Sequence, residues 1–307
     1  VIYGTRTLVL WLHSGWRPSA VFSARSVKQL FGLGSRLFGA ALLTHIGNNF
    51  PLILLGKMYS SQQTGFYERS AKIKDSVANG ISLSLQNVTF PAFSSIQQHD
   101  QKLKLSARQV VASMSFVLFP VMIGLASVAE DLFSLMWKDK WLPAVPYFQV
   151  LCLSAVFLPL SNTNLNILKA KGRGNTILLI EIIKKAFGFG IVFLGVRYSV
   201  MGVAVAYLIW MFFEMLINVG AARRVTRCTV AELARDTLPY LTMAAVMFFC
   251  VMGAGWLLKD ASVLLVLAVK IIVGAASYIL LSWLFKPAAW NEVLSMGRGL
   301  LNKLLRQ

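Results

Sequence analysis

Three charged residues cluster within one helical turn of a long apolar stretch. Glu181, Lys184 and Lys185 fall inside residues 176–196, and the next charge along the chain is Arg197. The 11 uncharged residues between Lys185 and Arg197 would extend only about 16 Å as a helix. Because the hydrocarbon core of a bilayer is about 30 Å thick, a membrane span here must include either the cluster or Arg197.

Placing charges at this depth costs free energy, and the chemistry of these three side chains suggests a function. A charge at the bilayer centre costs about 2.5–3.5 kcal/mol on insertion scales, so such groups usually face a protein interior or a wet cavity. Glu181 can pair with a lysine three or four residues further on, but one carboxylate cannot neutralise two ammonium groups. The pattern favours a transporter with a cationic interior, in which Lys184 and Lys185 contact phosphate. The alternative is that both lysines only pair with Glu181.

Five further residues are candidates for the same site. Arg36 is expected at the cytoplasmic mouth, where a substrate would enter, unless it simply extends to the membrane interface. Arg69 and Lys72 are expected on an outer loop, as headgroup contacts at exit or as ordinary solvated charges. Glu214, deep in the next apolar stretch, could titrate during transport or pair with a lysine of a neighbouring helix. His45 could relay protons or be a hydrogen-bonded core residue.

Composition places the chain among integral membrane proteins. Of its 307 residues, 57% are hydrophobic and 14% are charged, and mean hydropathy is +0.65. The apolar runs are continuous rather than alternating, which predicts helices instead of the strands of an outer-membrane barrel. The three cysteines have no metal-ligand spacing, and neither a metal nor another cofactor is expected.

The apolar runs predict about eight complete transmembrane helices. They are expected at residues 37–56, 76–97, 110–134, 145–168, 176–196, 200–222, 237–258 and 263–285. Residues 57–75 are then an outer loop. The last residues differ in kind, because apolar side chains share one helical face and basic side chains the other. This tail is expected to lie along the cytoplasmic membrane surface.

The lysines and arginines of alternate connections predict the orientation. One set of connections carries 18 of them and the other set carries 8, so the first set is expected in the cytoplasm together with the C-terminus. The loop at 57–75 is an exception, since it places four basic residues on the outer side. The net charge of +18 does not indicate nucleic acid, because it is divided among short connections as membrane insertion predicts.

Four short motifs occur in a characteristic order between residues 15 and 220. They are a Gly-Lys helix exit with a following Gly-Phe-Tyr, a Phe-Pro with nearby Ser and Gln, a Lys-Trp before a helix and an Ala-x-Gly-Arg turn: Gly56, Lys57, Gly65, Phe66, Tyr67, Phe90, Pro91, Ser94, Gln97, Lys140, Trp141, Ala170, Gly172 and Arg173. In these motifs the chain resembles the polysaccharide-exporter branch of the multidrug/oligosaccharidyl-lipid/polysaccharide superfamily, which contains the flippases of bacterial lipopolysaccharide and exopolysaccharide synthesis.

The resemblance implies an all-α integral membrane fold of two six-helix lobes, related by a pseudo-twofold axis, with up to two extra C-terminal helices. The chain would be the C-terminal portion, and the amino-terminal lobe would be missing. Its first part is expected to be the end of a preceding helix with a cytoplasmic linker (1–29), followed by a six-helix transport lobe (30–222). A cytoplasmic loop with an extra helix hairpin (223–285) and the amphipathic tail (286–307) would complete the chain as given. Transport by alternating access would need both lobes.

The implied substrate is an undecaprenyl-diphosphate-linked oligosaccharide that crosses the bacterial inner membrane without any bond being made or broken. The expected partners are this glycan, membrane lipids, the missing lobe, a polysaccharide polymerase and glycosyltransferases, with no nucleic acid. Two alternatives are a multidrug exporter of the same superfamily, which would show acidic, aromatic-rich cavity positions, and a membrane polymerase or ligase. An enzyme of that kind needs a large outer loop with catalytic Arg or His, whereas 57–75 has no histidine.

Overall fold

The computed structural model describes residues 23–258, 261–287, 289 and 290, together with residues 4, 5 and 11. These residues are helical or in short connections, and they include no strand. In chain order the helices are α1 (Ala24–Met58), α2 (Ser61–Ser95), α3 (Asp100–Ser127), α4 (Ala129–Trp137), α5 (Val145–Ser154), α6 (Leu158–Ala170), α7 (Gly174–Val196), α8 (Val200–Thr226), α9 (Val230–Leu257) and α10 (Val263–Phe285). A short 3-10 helix at Asp139–Ala144 leads into α5, and another at Ala155–Phe157 joins α5 to α6, so that these elements form one long segment.

The helices confirm an all-α membrane architecture. Within the part of the chain that the structure describes, five segments are long and apolar enough to cross a bilayer, namely α3, the α5–α6 segment, α8, α9 and α10. α7 has the same length as α10, 23 residues, but it contains the three charges of the cluster. Since backbone groups in hydrocarbon must be satisfied within helices, this all-helical chain is a multi-pass membrane protein.

Two predicted boundaries are wrong. Residues 57–75 are not an outer loop, because α1 ends at Met58 and α2 begins at Ser61, where Ser60 accepts a hydrogen bond from the Gln63 backbone N–H at 3.3 Å. The first turns of α2 are helical but polar, so hydropathy alone does not distinguish them from a connection. The predicted span at 110–134 is also displaced: α3 ends at Ser127, and α4 is a separate helix of nine residues.

α7 and α8 form a tight hairpin that carries the charged cluster. The side chain of Ser199 caps α8 by accepting a hydrogen bond from the Gly202 backbone N–H at 2.9 Å. The two helices approach so closely that a Cβ on Gly195 would lie 2.5 Å from the carbonyl oxygen of Gly202. Small residues at such crossings let membrane helices pack backbone to backbone, which fixes α7 and α8 relative to one another.

The hairpin of α9 and α10 packs against α3. Phe116 of α3 lies in an apolar cluster with Tyr240 and Tyr278, and the Tyr278 hydroxyl donates to the Phe116 carbonyl at 2.9 Å. α9 begins with a capping box, in which the Thr229 side chain and the Glu232 carboxylate satisfy each other's backbone N–H groups. These contacts attach the hairpin to the rest of the bundle.

Ion pairs join the start of α3 to the start of α9 and to the α6–α7 connection, at one end of the bundle. Lys104 contacts Glu232 at 2.6 Å, Arg108 binds Asp236 at 2.6 and 2.7 Å, and Lys171 contacts Asp100 at 2.6 Å. The connections near residues 100–108, 169–173 and 227–236 therefore lie together, as the alternation of loops predicts. Elsewhere, the Tyr59 hydroxyl donates to the Val196 carbonyl at 2.7 Å, which joins the end of α1 to the end of α7.

Candidate functional site

A cavity of about 560 Å³ lies among α1, α2, the α5–α6 segment, α7 and α8. This size lies within the usual range for ligand sites. Its wall contains charged side chains, amides, hydroxyls and two tyrosines: Glu68, Lys72, Lys74, Asp75, Lys185, Glu214, Asn48, Asn49, Asn79, Asn162, Thr44, Ser154, Tyr67 and Tyr207. A polar cavity of this kind, inside a bundle of membrane helices, is suited to a polar ligand rather than to lipid.

The charged cluster of α7 reaches this region and gains a fourth member. Helical spacing puts Glu181, Lys184 and Lys185 on one face of α7, and α8 adds Glu214. The Lys184 ammonium lies 2.5 Å from a Glu181 oxygen and 3.5 Å from Glu214, whereas the Lys185 ammonium lies 4.0 Å from Glu214. Glu214 therefore supplies the second carboxylate that Glu181 alone could not, and the four charges balance.

The two lysines of the cluster have different surroundings. Lys184 is 1% exposed and binds Glu181, whose other oxygen accepts a hydrogen bond from the Thr44 hydroxyl at 3.2 Å. Lys185 lies at the wall of the cavity. The structure thus places Lys184 in a network that joins α7 to α1 and α8, and it places Lys185 where a ligand can reach it.

Two glycines make room for Lys185 and for the ring beside it: Gly47 lies against the lysine side chain, and Gly188 forms a slot for Trp210. A Cβ on Gly47 would lie 2.6 Å from Cδ of Lys185, and a Cβ on Gly188 would lie 2.1 Å from Cε2 of Trp210. The Trp210 ring, which is fully buried, has its centre 4.8 Å from the Lys185 ammonium. A cation over an aromatic face is stabilised by the ring quadrupole. Gly47 therefore makes room for the buried Lys185 side chain and Gly188 for the Trp210 ring, and the cation has that ring at 4.8 Å and the Glu214 carboxylate at 4.0 Å as its neighbours.

Lys74 is a buried cation that sequence reasoning missed. It is 4% exposed on α2, binds Asp75 at 2.5 Å and has its ammonium 5.0 Å from the centre of the Tyr207 ring. The assignment of this stretch to a loop hid its position. In the structure Phe66, Ser70 and Lys74, each four residues from the next, are all buried on one face of α2, but Ser and Lys give no apolar repeat that the sequence alone would show.

The described wall of the cavity is balanced in charge, which corrects the prediction of a cationic interior. Lys72, Lys74 and Lys185 are matched by Glu68, Asp75 and Glu214. The pairs are not equivalent, however. Lys72 contacts Glu68 at 2.6 Å and Lys74 contacts Asp75 at 2.5 Å, whereas Lys185 is 4.0 Å from Glu214. Lys185 is consequently the cation of this wall that a ligand anion can engage at the lowest cost.

Of the two residues predicted at the exit, one lies at the cavity. Lys72 is on its wall, on α2 rather than on a loop. The Arg69 guanidinium instead lies 5.2 and 5.7 Å from the ring centres of Trp137 and Trp141. Arg69 is therefore held by two aromatic faces next to α4 and is not part of the described wall.

His45 is neither buried nor at the described wall. Thr44, Asn48, Asn49 and Leu52 of α1 line the cavity, and His45 is not part of the described wall. Its imidazole is exposed and its carbonyl accepts a hydrogen bond from the Asn49 amide at 2.9 Å. The expectation of a core histidine is thus wrong. The side chain of Arg36 and the amphipathic tail beyond residue 290 lie outside the described residues.

Comparisons with known proteins agree with this architecture. A family model described as "Polysaccharide biosynthesis protein" matches residues 2–146. The teichuronic acid biosynthesis protein TuaB of Bacillus subtilis is 24% identical over 286 residues, which cover 92% of this chain and 59% of TuaB. The succinoglycan biosynthesis transport protein ExoT of Rhizobium meliloti is 24% identical over 299 residues, covering 94% of this chain and 59% of ExoT.

A solved structure shares the fold. The lipid II flippase MurJ, in an inward closed conformation, has a TM-score of 0.67 at 14% identity, over 92% of this chain and 60% of that one. The chain thus spans about 60% of the length of the relatives compared here. Together these similarities confirm the resemblance to the polysaccharide-exporter branch of the multidrug/oligosaccharidyl-lipid/polysaccharide superfamily.

Proposed function

We propose that the chain carries the substrate cavity of a flippase for undecaprenyl-diphosphate-linked oligosaccharide in the bacterial inner membrane. Such a flippase would serve lipopolysaccharide or exopolysaccharide synthesis. The observation that carries the proposal is Lys185, a cation buried within an apolar helix, at a cavity wall, with its nearest described carboxylate at 4.0 Å. The names of TuaB and ExoT, which refer to polysaccharide synthesis, support the substrate class.

The diphosphate is expected to displace a carboxylate when it binds. Because the wall is balanced in charge, a dianion added to it would be repelled by Glu214 unless it takes over the ammonium of Lys185. At 4.0 Å the Lys185–Glu214 pair is too long for a hydrogen bond, whereas ammonium and phosphate form short charge-assisted ones. Asn48, Asn79 and Asn162 line the same cavity, and their amides would bind sugar hydroxyls.

Transport would follow the alternating-access scheme of two-lobed carriers, with the cavity exposed to one side of the membrane at a time. The basic end of the bundle would face the cytoplasm together with the C-terminus. At this end the start of α3 meets the α6–α7 and α8–α9 connections. The partners would be membrane lipids, a second lobe, and the glycosyltransferases and polymerase that make and extend the glycan. The protein itself would catalyse no bond change.

A multidrug exporter is the less supported candidate. A site for cationic drugs would have to tolerate Lys74 and Lys185 at its wall, and the relatives named above belong to polysaccharide synthesis. A polymerase or ligase is also less supported, because the segment once expected as a long outer loop, 57–75, is largely the start of α2.

A chromosomal substitution in the source bacterium tests the proposal. Lys185→Met keeps the length of the side chain but removes the charge, and Lys270→Met/Asp131→Leu is a matched control that removes another buried lysine together with its carboxylate. With Lys185→Met inserted at normal levels, we expect less surface polysaccharide and accumulation of lipid-linked precursor, while the control exports normally. Normal export in both would make Lys185 structural. If deletion of the gene causes no precursor to accumulate, the flippase assignment is wrong.

A further inference from the structure

A second cavity, of about 900 Å³, lies between α3, α9 and the end of α10. Most of its wall is apolar, and Leu105, Leu238 and Phe285 are between 56% and 66% exposed. Arg108 and Arg235 line it where α3 and α9 begin. The groove therefore combines basic groups at the end of the membrane helices with an apolar wall along them, which is the arrangement of a lipid headgroup and its acyl chains.

The two arginines of this groove are not equivalent. The Arg108 guanidinium donates to both oxygens of Asp236, at 2.6 and 2.7 Å. Because Asp236 is occupied in this way, it does not neutralise Arg235, its neighbour in sequence. Arg235 is exposed, and among the described residues no carboxylate lies within ion-pair distance of it. The groove thus presents one uncompensated positive charge.

We propose that the groove between α3, α9 and α10 binds an anionic phospholipid of the surrounding leaflet, with its phosphate on Arg235 and an acyl chain along Leu238 and Met243. The location decides between a lipid and a soluble anion, since the apolar part of the wall lies on helices that span the membrane and basic groups at helix ends attract anionic headgroups. The inference uses none of the cavity residues of the proposed transport site and stands independently of it.

Native mass spectrometry of the purified chain in detergent tests this site, with added phosphatidylglycerol or phosphatidylcholine as probes. We expect the wild type to bind phosphatidylglycerol several-fold better than phosphatidylcholine. Arg235→Gln should abolish this preference, and Leu238→Trp, which fills the apolar part, should weaken both lipids. Arg224→Gln is the matched control, because Arg224 is an exposed cation of the same end of the bundle outside this groove, and it should preserve the preference.

Three outcomes would overturn the proposal. Equal binding of both lipids by the wild type would remove the role of charge. An equal loss of the phosphatidylglycerol preference in Arg235→Gln and Arg224→Gln would show that anionic lipids are attracted to the basic surface in general and not to a site. A strong gain of lipid binding on removal of residues 291–307 would show that this segment of the chain, rather than a lipid, occupies the groove.

Discussion

Two regions of the molecule bury lysines in different ways. Lys270 of α10 binds Asp131 of α4 at 2.5 Å, whereas Lys185 of α7 lies 4.0 Å from Glu214 and 4.8 Å from the centre of the Trp210 ring. Both side chains pass a glycine of a neighbouring helix. The same kind of packing thus holds one lysine at hydrogen-bond distance from its carboxylate and leaves the other 4.0 Å from the nearest one.

The difference separates a structural charge from one available to a ligand. A buried ion pair with short geometry compensates the desolvation of both groups, and breaking it leaves an uncompensated charge. A lysine stabilised by an aromatic face and a distant carboxylate keeps N–H donors that a phosphate can accept. Burial alone therefore does not distinguish the two lysines, whereas the distance to the nearest carboxylate does, and the proposed function assigns the ligand to Lys185.

The largest effect is expected from breaking the structural pair. Asp131→Leu leaves the Lys270 ammonium buried without its carboxylate, and both side chains are at least 85% buried. We expect a loss of about 3 kcal/mol in the free energy of unfolding, measured by thermal unfolding in detergent. The double variant Lys270→Met/Asp131→Leu should recover most of it. A double variant as unstable as the single one would mean that the pair is not the cause.

Replacing two glycines of α7 by alanine is expected to change stability by smaller amounts and in opposite directions. Gly188→Ala places a Cβ against Trp210 and should destabilise the protein by about 1–3 kcal/mol. Gly190→Ala meets nothing within 4 Å and should be neutral or stabilising, by up to about 1 kcal/mol, because alanine favours helix. Melting temperatures of the two variants check this. Similar shifts in both would contradict the slot that holds Trp210 beneath Lys185.

The sequence predicts much of the fold because apolar runs of membrane length leave few alternatives to helices. The order of the helical segments and the Glu181–Lys184 contact follow from spacing along one chain. From the sequence, Glu214 could be predicted to pair only with an unspecified lysine. Its partners lie on a helix about 30 positions earlier in the chain, and they depend on how α7 and α8 pack. Lys74 was missed because the polar start of α2 resembles a connection until its buried face is seen.

The third prediction concerns the carboxylate that competes for Lys185. Glu214→Gln removes the negative charge a diphosphate must displace, so we expect affinity for a short prenyl diphosphate such as farnesyl diphosphate to rise by several-fold. Calorimetric titration of the purified variant measures it. The pair Glu68 and Lys72 provides the control, because Glu68→Gln acts on a contact that is mostly exposed and should change affinity less. A lower affinity in Glu214→Gln would show that the carboxylate helps to bind the ligand.

The smallest change in stability is expected from breaking an ion pair near the surface, that of Arg108 with Asp236. Arg108 and Asp236 are bidentate but partly exposed, so Arg108→Ala should cost about 1 kcal/mol of stability and leave prenyl diphosphate binding unchanged. A double-mutant cycle with Asp236→Ala isolates the pair. A coupling free energy near zero would show that this pair does not attach α9 to α3.

The most direct test of the central claim, that Lys185 is the cation reserved for the ligand, is a calorimetric titration of the purified chain with farnesyl diphosphate. Lys185→Met is compared with the wild type and with Lys270→Met/Asp131→Leu. We predict at least a tenfold loss of affinity in Lys185→Met, about 1.4 kcal/mol, and a change of less than about twofold in the double variant. Equal affinities in all three proteins would contradict the claim.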